Sequence, residues 1–131
     1  MNQPAVLATW RRLAKTGDAS GLNDILADDA VFHSPVVHTP HRGKKMVYAY
    51  LAAAFKVFTN DSFRYVREIV EGNNATLEFE VEIDGISVNG VDLITWNAEG
   101  RIVDFKVMIR PLKAINLIHQ KMAQMLEAKR A

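Results

Sequence analysis

The ten residues from Ala75 to Asp84 alternate in character without a break: Leu77, Phe79, Val81 and Ile83 share one parity, and Thr76, Glu78, Glu80, Glu82 and Asp84 the other. Successive side chains of a strand point to opposite faces, so this segment is a strand with one dry and one wet face. Such a strand belongs in an antiparallel sheet that is covered on one side only. The flanking sequence supplies its neighbours. Phe63 to Glu71 leads into it through Gly72-Asn73-Asn74, a hairpin-type turn, and Asp84-Gly85 leads out of it into Val88 to Trp96. Asn97 to Gly100 turns the chain once more, into Ile102 to Arg110. A meander of about four long strands is predicted.

Upstream of Asn60 the apolar period is helical. Pro4 suits a first helical position, and Val6, Leu7, Trp10, Leu13 and Ala14 form one face of a helix that Gly17 stops. Asp18 caps a short second helix that buries Leu22, Ile25 and Leu26. Ala30 to Ser34 reads as a short strand ended by Pro35, which has no amide hydrogen, and Pro35 to Arg42 as an irregular loop. From Gly43 a third helix sets Met46, Val47, Tyr50, Leu51, Ala54 and Phe58 on one stripe. Pro111 opens a final helix with Leu112, Ile115, Ile118, Met122 and Met125 as its apolar stripe. Helices first, then a meander, then a helix define an α+β class in one domain over residues 1–131.

Composition narrows the function classes. Sixteen basic and fifteen acidic residues leave a formal charge of +1, so no strong field favours nucleic acid or a membrane surface. The absence of cysteine excludes disulfides, thiolate catalysis and cysteine-based zinc sites, and fits a reducing, cytoplasmic setting. The opening MNQPAVLATW has no basic n-region or apolar run of a signal peptide, and no stretch approaches the roughly 18 apolar residues of a membrane span. The reading is a soluble intracellular protein.

Three local patterns carry a resemblance. The first is Thr16-Gly17-Asp18 followed by Leu26 through Pro35, and the second is Arg42-Gly43 leading into the third helix. The third is Gly90-Val91-Asp92-Leu93-Ile94-Thr95-Trp96 followed by Gly100-Arg101-Ile102-Val103-Asp104-Phe105. With the element order, these resemble the nuclear transport factor 2-like superfamily, and within it the ketosteroid isomerase and SnoaL-like cyclase group, over about residues 4 to 110. The resemblance implies a cone-shaped, curved antiparallel sheet wrapped by the N-terminal helices, a pocket for a small apolar molecule and chemistry that needs no cofactor. It does not fix the function, because this fold hosts isomerases, dehydratases, cyclases, hydrolases and pure binding modules.

Ketosteroid isomerases place their general-base aspartate directly before the proline that ends the first strand, and that position is Ser34 here. Their hydrogen-bonding tyrosine stands seven residues before the glycine of the Gly-Asp pair, a position held here by Trp10. Their protonated aspartate in the penultimate strand corresponds to Asp92, the only one of the three that is kept. A standard ketosteroid isomerase is therefore not expected. The candidate roles left for Asp92 are those of an acid or hydrogen-bond donor, either in a binding protein or in an isomerase, dehydratase or cyclase of another kind.

Parity leaves two choices for the strand around Asp92: Gly90, Asp92, Ile94 and Trp96 face inward, or Asn89, Val91, Leu93 and Thr95 do. The resemblance implies the first. On a dry face desolvation raises a carboxyl pKa, and the neutral acid can donate to a ligand carbonyl. The same correspondence turns Leu77, Phe79 and Val81, and Val103, Phe105, Val107 and Ile109, inward, joined by Phe32, Tyr50 and Leu51. Such residues wall an apolar pocket or fill a core, and sequence volume does not separate the two. His33, His38 and His41 cluster near the end of the first strand, but no Asp or Glu with matching geometry stands near them, so no metal site is predicted. His33 points opposite to Ser34, away from the pocket, and His119 is solvated. The outer sheet face, with Glu78, Glu80 and Glu82 on one strand and Asp104, Lys106 and Arg110 on another, suits a homodimer across a two-fold axis.

Overall fold

The computed structural model describes residues 4–130, and side chains through residue 127; Met1 to Gln3, part of the opening read above for a leader, lie outside them. Helix α1 spans Ala5–Thr16 and buries the five residues predicted, Val6, Leu7, Trp10, Leu13 and Ala14. It stops at Gly17, whose left-handed φ of 74° lets its amide reach the Leu13 carbonyl at 2.7 Å. Asp18 then accepts from the Ser20 amide to start a 3-10 turn, which continues into the single-turn helix α2, Leu22–Ile25.

Strand β1 runs from Leu26 to His33, and so begins four residues before the predicted Ala30. The solvent-facing pair Asp28-Asp29 hides the strand from a simple alternation, and a register shift between Leu26 and Val31 breaks its period. The loop expected over Pro35 to Arg42 ends in a two-residue strand, β2, His41–Arg42, antiparallel to β1. Helix α3, Lys44–Phe58, buries Val47, Leu51 and Phe55 together with Ala52, Ala53 and Val57. Met46, placed on the buried stripe from sequence, is 47% exposed instead.

The meander follows as predicted: β3 Arg64–Glu71, β4 Asn74–Ile83, β5 Ile86–Trp96 and β6 Ile102–Arg110. Beside these four long strands, β1 and the short β2 complete a six-stranded sheet in the order β2-β1-β6-β5-β4-β3, whose ends do not meet. The four long strands pair antiparallel, whereas β1 lies parallel to β6. That parallel pair requires a long crossover, which α3 and the meander provide. Helix α4, Leu112–Arg130, returns across the covered face and buries Ala114 and Ile118. Leu112, placed on its apolar stripe from sequence, is 72% exposed instead.

Two apolar clusters fill the covered face. One joins α1, β1 and α3 through Leu7, Trp10, Phe32 and Phe105; the other joins β4 to α4 through Phe79, Val81 and Ile118. Gly90 sits opposite Phe79 in the β4–β5 register, and the Phe79 ring lies against it. A Cβ on Gly90 would stand 2.4 Å from the tip of that ring and 2.8 Å from the Met108 carbonyl oxygen. The missing side chain is thus what lets Phe79 turn its ring along the sheet.

Candidate functional site

Asp92 is the one buried charged or polar residue among those described, 6% exposed on the helix-covered face of β5. Parity had left its face open; the structure places Gly90, Asp92, Ile94 and Trp96 inward. Beside it, Tyr65 from β3 donates its hydroxyl hydrogen to Asp92 Oδ2 at 2.6 Å. The Tyr65 oxygen in turn accepts from Trp10 Nε1 at 2.9 Å. An indole nitrogen can only donate, which fixes the sense of the whole chain: indole to phenol, phenol to carboxyl. Tyr65 thereby spends its hydrogen on Oδ2, and a proton carried by Asp92 resides on Oδ1. No hydrogen bond to Oδ1 is made among the described residues.

Burial raises the Asp92 pKa from 3.8 to about 7, against the opposing pull of the Tyr65 hydrogen bond. Burial, and next the neighbouring Asp92 charge, raises the Tyr65 phenol well above its ordinary value, so Tyr65 stays neutral. Trp10 is wedged by aromatic contacts to Phe55, 5.3 Å between ring centres, and to Phe105, 4.8 Å and edge-on. One residue further along α1, Arg11 grips Glu68 of β3 through two hydrogen bonds, which ties the helix to the strand that carries Tyr65.

Asp92, Tyr65, Trp10, Phe55 and Phe105 line a hollow of about 50 Å³ at the seam between the two apolar clusters. Of the residues expected around a ligand, Trp10, Phe32, Leu51, Phe79 and Phe105 line it together with Asp92. Ser34 and Tyr50 line instead a second hollow of about 200 Å³ beneath α4. The two hollows share Phe32, Ala54, Phe58 and Val107 as walls and so adjoin. Val81 and Ile94 line neither; both point inward as predicted, but they are packed into the core.

Tyr65 escaped the sequence reading. Its strand lies at the sheet edge, every residue after Tyr65 is exposed, and a bulge between Tyr65 and Arg67 breaks the period. The one available signal was its spacing of two from Phe63, which also lines the inner hollow. The histidines also need correction. His33 does have a carboxylate neighbour, because Asp104 of β6 meets its Nε2 at 2.9 Å on the outer face. Among the described residues no group of three His, Cys, Asp or Glu is placed to hold a metal. His41 stacks on Tyr50 with 4.0 Å between ring centres, and desolvation holds its pKa below the usual histidine value. No helix of the described residues is long and apolar enough to cross a membrane.

The SnoaL-like domain family matches residues 7–105. The chain belongs to this family. Among solved structures, this SnoaL-like domain is similar to a steroid delta-isomerase from Pseudomonas aeruginosa, at 36% identity and a TM-score of 0.90 over 95% of this chain and 91% of that one. It is also similar to a protein with a cystatin-like fold from Silicibacter pomeroyi, at 31% identity and a TM-score of 0.83 over 97% and 86% of the two chains. A putative polyketide cyclase from Sinorhizobium meliloti shares the fold, at 20% identity and a TM-score of 0.66 over 81% of this chain and 95% of that one. No curated protein sequence matches the SnoaL-like domain described here.

Proposed function

We propose that this SnoaL-like domain binds a small, largely apolar carbonyl compound, with Asp92 as the neutral donor that receives its oxygen. The observation that carries this reading is the directed chain Trp10–Tyr65–Asp92, which ends at a carboxyl group in an aromatic hollow. A carboxyl whose pKa is lifted to about 7 by burial is largely protonated in mildly acidic solution, and the proton on Oδ1 is then available to an acceptor. Size supports a ligand that spans both hollows. The inner one, at about 50 Å³, has room for a few waters or one functional group, while the outer one, at about 200 Å³, takes an apolar body. The test is fluorescence titration with methyl naphthyl ketone, a flat apolar molecule with one carbonyl. Asp92→Ala is expected to weaken binding by about 1 kcal/mol, the net worth of one neutral hydrogen bond. Equal affinity in the two proteins would place the ketone elsewhere and refute the reading.

A second reading, an isomerase, dehydratase or cyclase that uses Asp92 as its acid, is favoured by the likeness to the steroid delta-isomerase. Against it stands Ser34, where a carboxylate base would be needed to remove a carbon-bound proton. Its hydroxyl oxygen instead accepts from the amides of Val36 at 2.9 Å and Val37 at 3.1 Å, and no general base stands against it in either contact. Incubation with a β,γ-unsaturated ketosteroid is expected to give no turnover above the uncatalysed rate. Efficient conversion to the conjugated ketone would overturn the binding-only reading.

A further inference from the structure

We infer that the mouth of this site takes an anionic group, so that the ligand is an apolar oxo acid with its carbonyl at Asp92 and a carboxylate at the far end. The inference rests on the reading of the inner hollow given above and extends it to the outer one. Three observations carry it. First, Ser34 Oγ accepts from the Val36 and Val37 amides, which directs its lone pairs at the protein backbone and leaves its O–H hydrogen to be donated. Ser34 lines the outer hollow, whose other polar walls are Tyr50 and His119, so a ligand oxygen seated there can accept that hydrogen. Second, His119 reaches the same hollow from α4, and an imidazole presents at least one N–H in either charge state.

Third, the ionisable side chains that line the neighbouring surface are basic. A shallower surface hollow shares Ser34, Pro35, Val37, Val107 and Ile109 with the outer one, and its ionisable lining residues are His33, His38 and Lys106. No acidic side chain lines either hollow; the nearest carboxylate in contact with these groups is Asp104, which is engaged by His33 at 2.9 Å. Lys106 is the formally charged side chain of that lining and the histidines add N–H donors, a combination that favours an anion. The inner hollow points the other way: no cationic side chain lines it, so a carboxylate there would be desolvated without a partner, whereas Asp92 can donate to a neutral oxygen. The two ends of the site therefore ask for different oxygens, and that difference orients the ligand.

The test compares two probes by fluorescence titration of the full chain: methyl naphthyl ketone, and the acetylnaphthoic acid whose carboxylate stands at the opposite end of the rings. The acid is expected to bind roughly tenfold more tightly, as one hydrogen-bonded charge would give. In Ser34→Ala and in His119→Gln the ratio of the two dissociation constants is expected to fall toward one. His119→Gln changes an exposed helix position and guards against a folding defect in the serine variant. If the acid binds no more tightly than the ketone while the ketone still depends on Asp92, the anionic end is wrong and the carbonyl site stands. A preference for the acid that survives both substitutions also overturns the inference, because the carboxylate is then held elsewhere. If neither probe binds, the carbonyl reading fails and this inference fails with it.

Discussion

Asp92→Asn is expected to stabilise the protein at neutral pH and to leave it unchanged near pH 4. The folded-state pKa of Asp92, about 7, lies above the 3.8 of an unperturbed carboxyl. Between those values the folded chain holds a proton that the unfolded chain has released. Folding therefore loses stability as pH rises through that window, and the loss is complete above it. The pKa difference corresponds to a total on the order of 4 kcal/mol at about 1.36 kcal/mol per pH unit. Asparagine keeps the shape, still accepts from Tyr65 and does not ionise. Urea unfolding at several pH values between 4 and 8 is expected to show wild type falling relative to the variant. Parallel curves for the two proteins would mean that Asp92 is ionised in the fold and held by its neighbours as a structural charge.

Gly90→Ala is expected to destabilise the fold by about 3 kcal/mol, the upper end of the usual cost of overpacking. The new methyl would meet two neighbours at once, the Phe79 ring at 2.4 Å and the backbone oxygen of Met108 at 2.8 Å. The ring lines the hollow beside Asp92, and the carbonyl belongs to the adjoining strand β6. Shortening the ring in Gly90→Ala/Phe79→Leu is expected to recover part of the loss but not all of it, because the carbonyl contact remains. Thermal unfolding of the three proteins measures this. A Gly90→Ala variant as stable as wild type would contradict the packing described for the floor of the site.

The parts of the fold that could be read from sequence are those whose environment is uniform along an element. Strands β4, β5 and β6 have one dry and one wet face for most of their length, so parity and turn residues located them to within two residues. Edge elements were harder. The start of β1 is masked by Asp28 and Asp29, and β3 after Tyr65 is exposed on both faces and carries no period. The same weakness hid Tyr65, which donates to Asp92 in the candidate site. Asp92 stands out because the resemblance places a carboxyl at that strand position on the face of Gly90 and Ile94; parity alone leaves both faces open. Pleating shows which residues face inward. It does not show which of them the helices leave uncovered, and so Val81 and Ile94 were expected at the ligand and are found in the core.

The central claim is that Asp92 is a protonated donor facing a ligand oxygen. It is tested most directly by carbon-13 NMR titration of the Asp92 carboxyl with and without methyl naphthyl ketone. The account predicts a midpoint near 7 in the free protein, because burial disfavours the charge. It predicts a higher midpoint with the ketone, because a carbonyl accepts only from the neutral acid and displaces water that would solvate the anion. A midpoint at or below about 4, unmoved by the ketone, would contradict it.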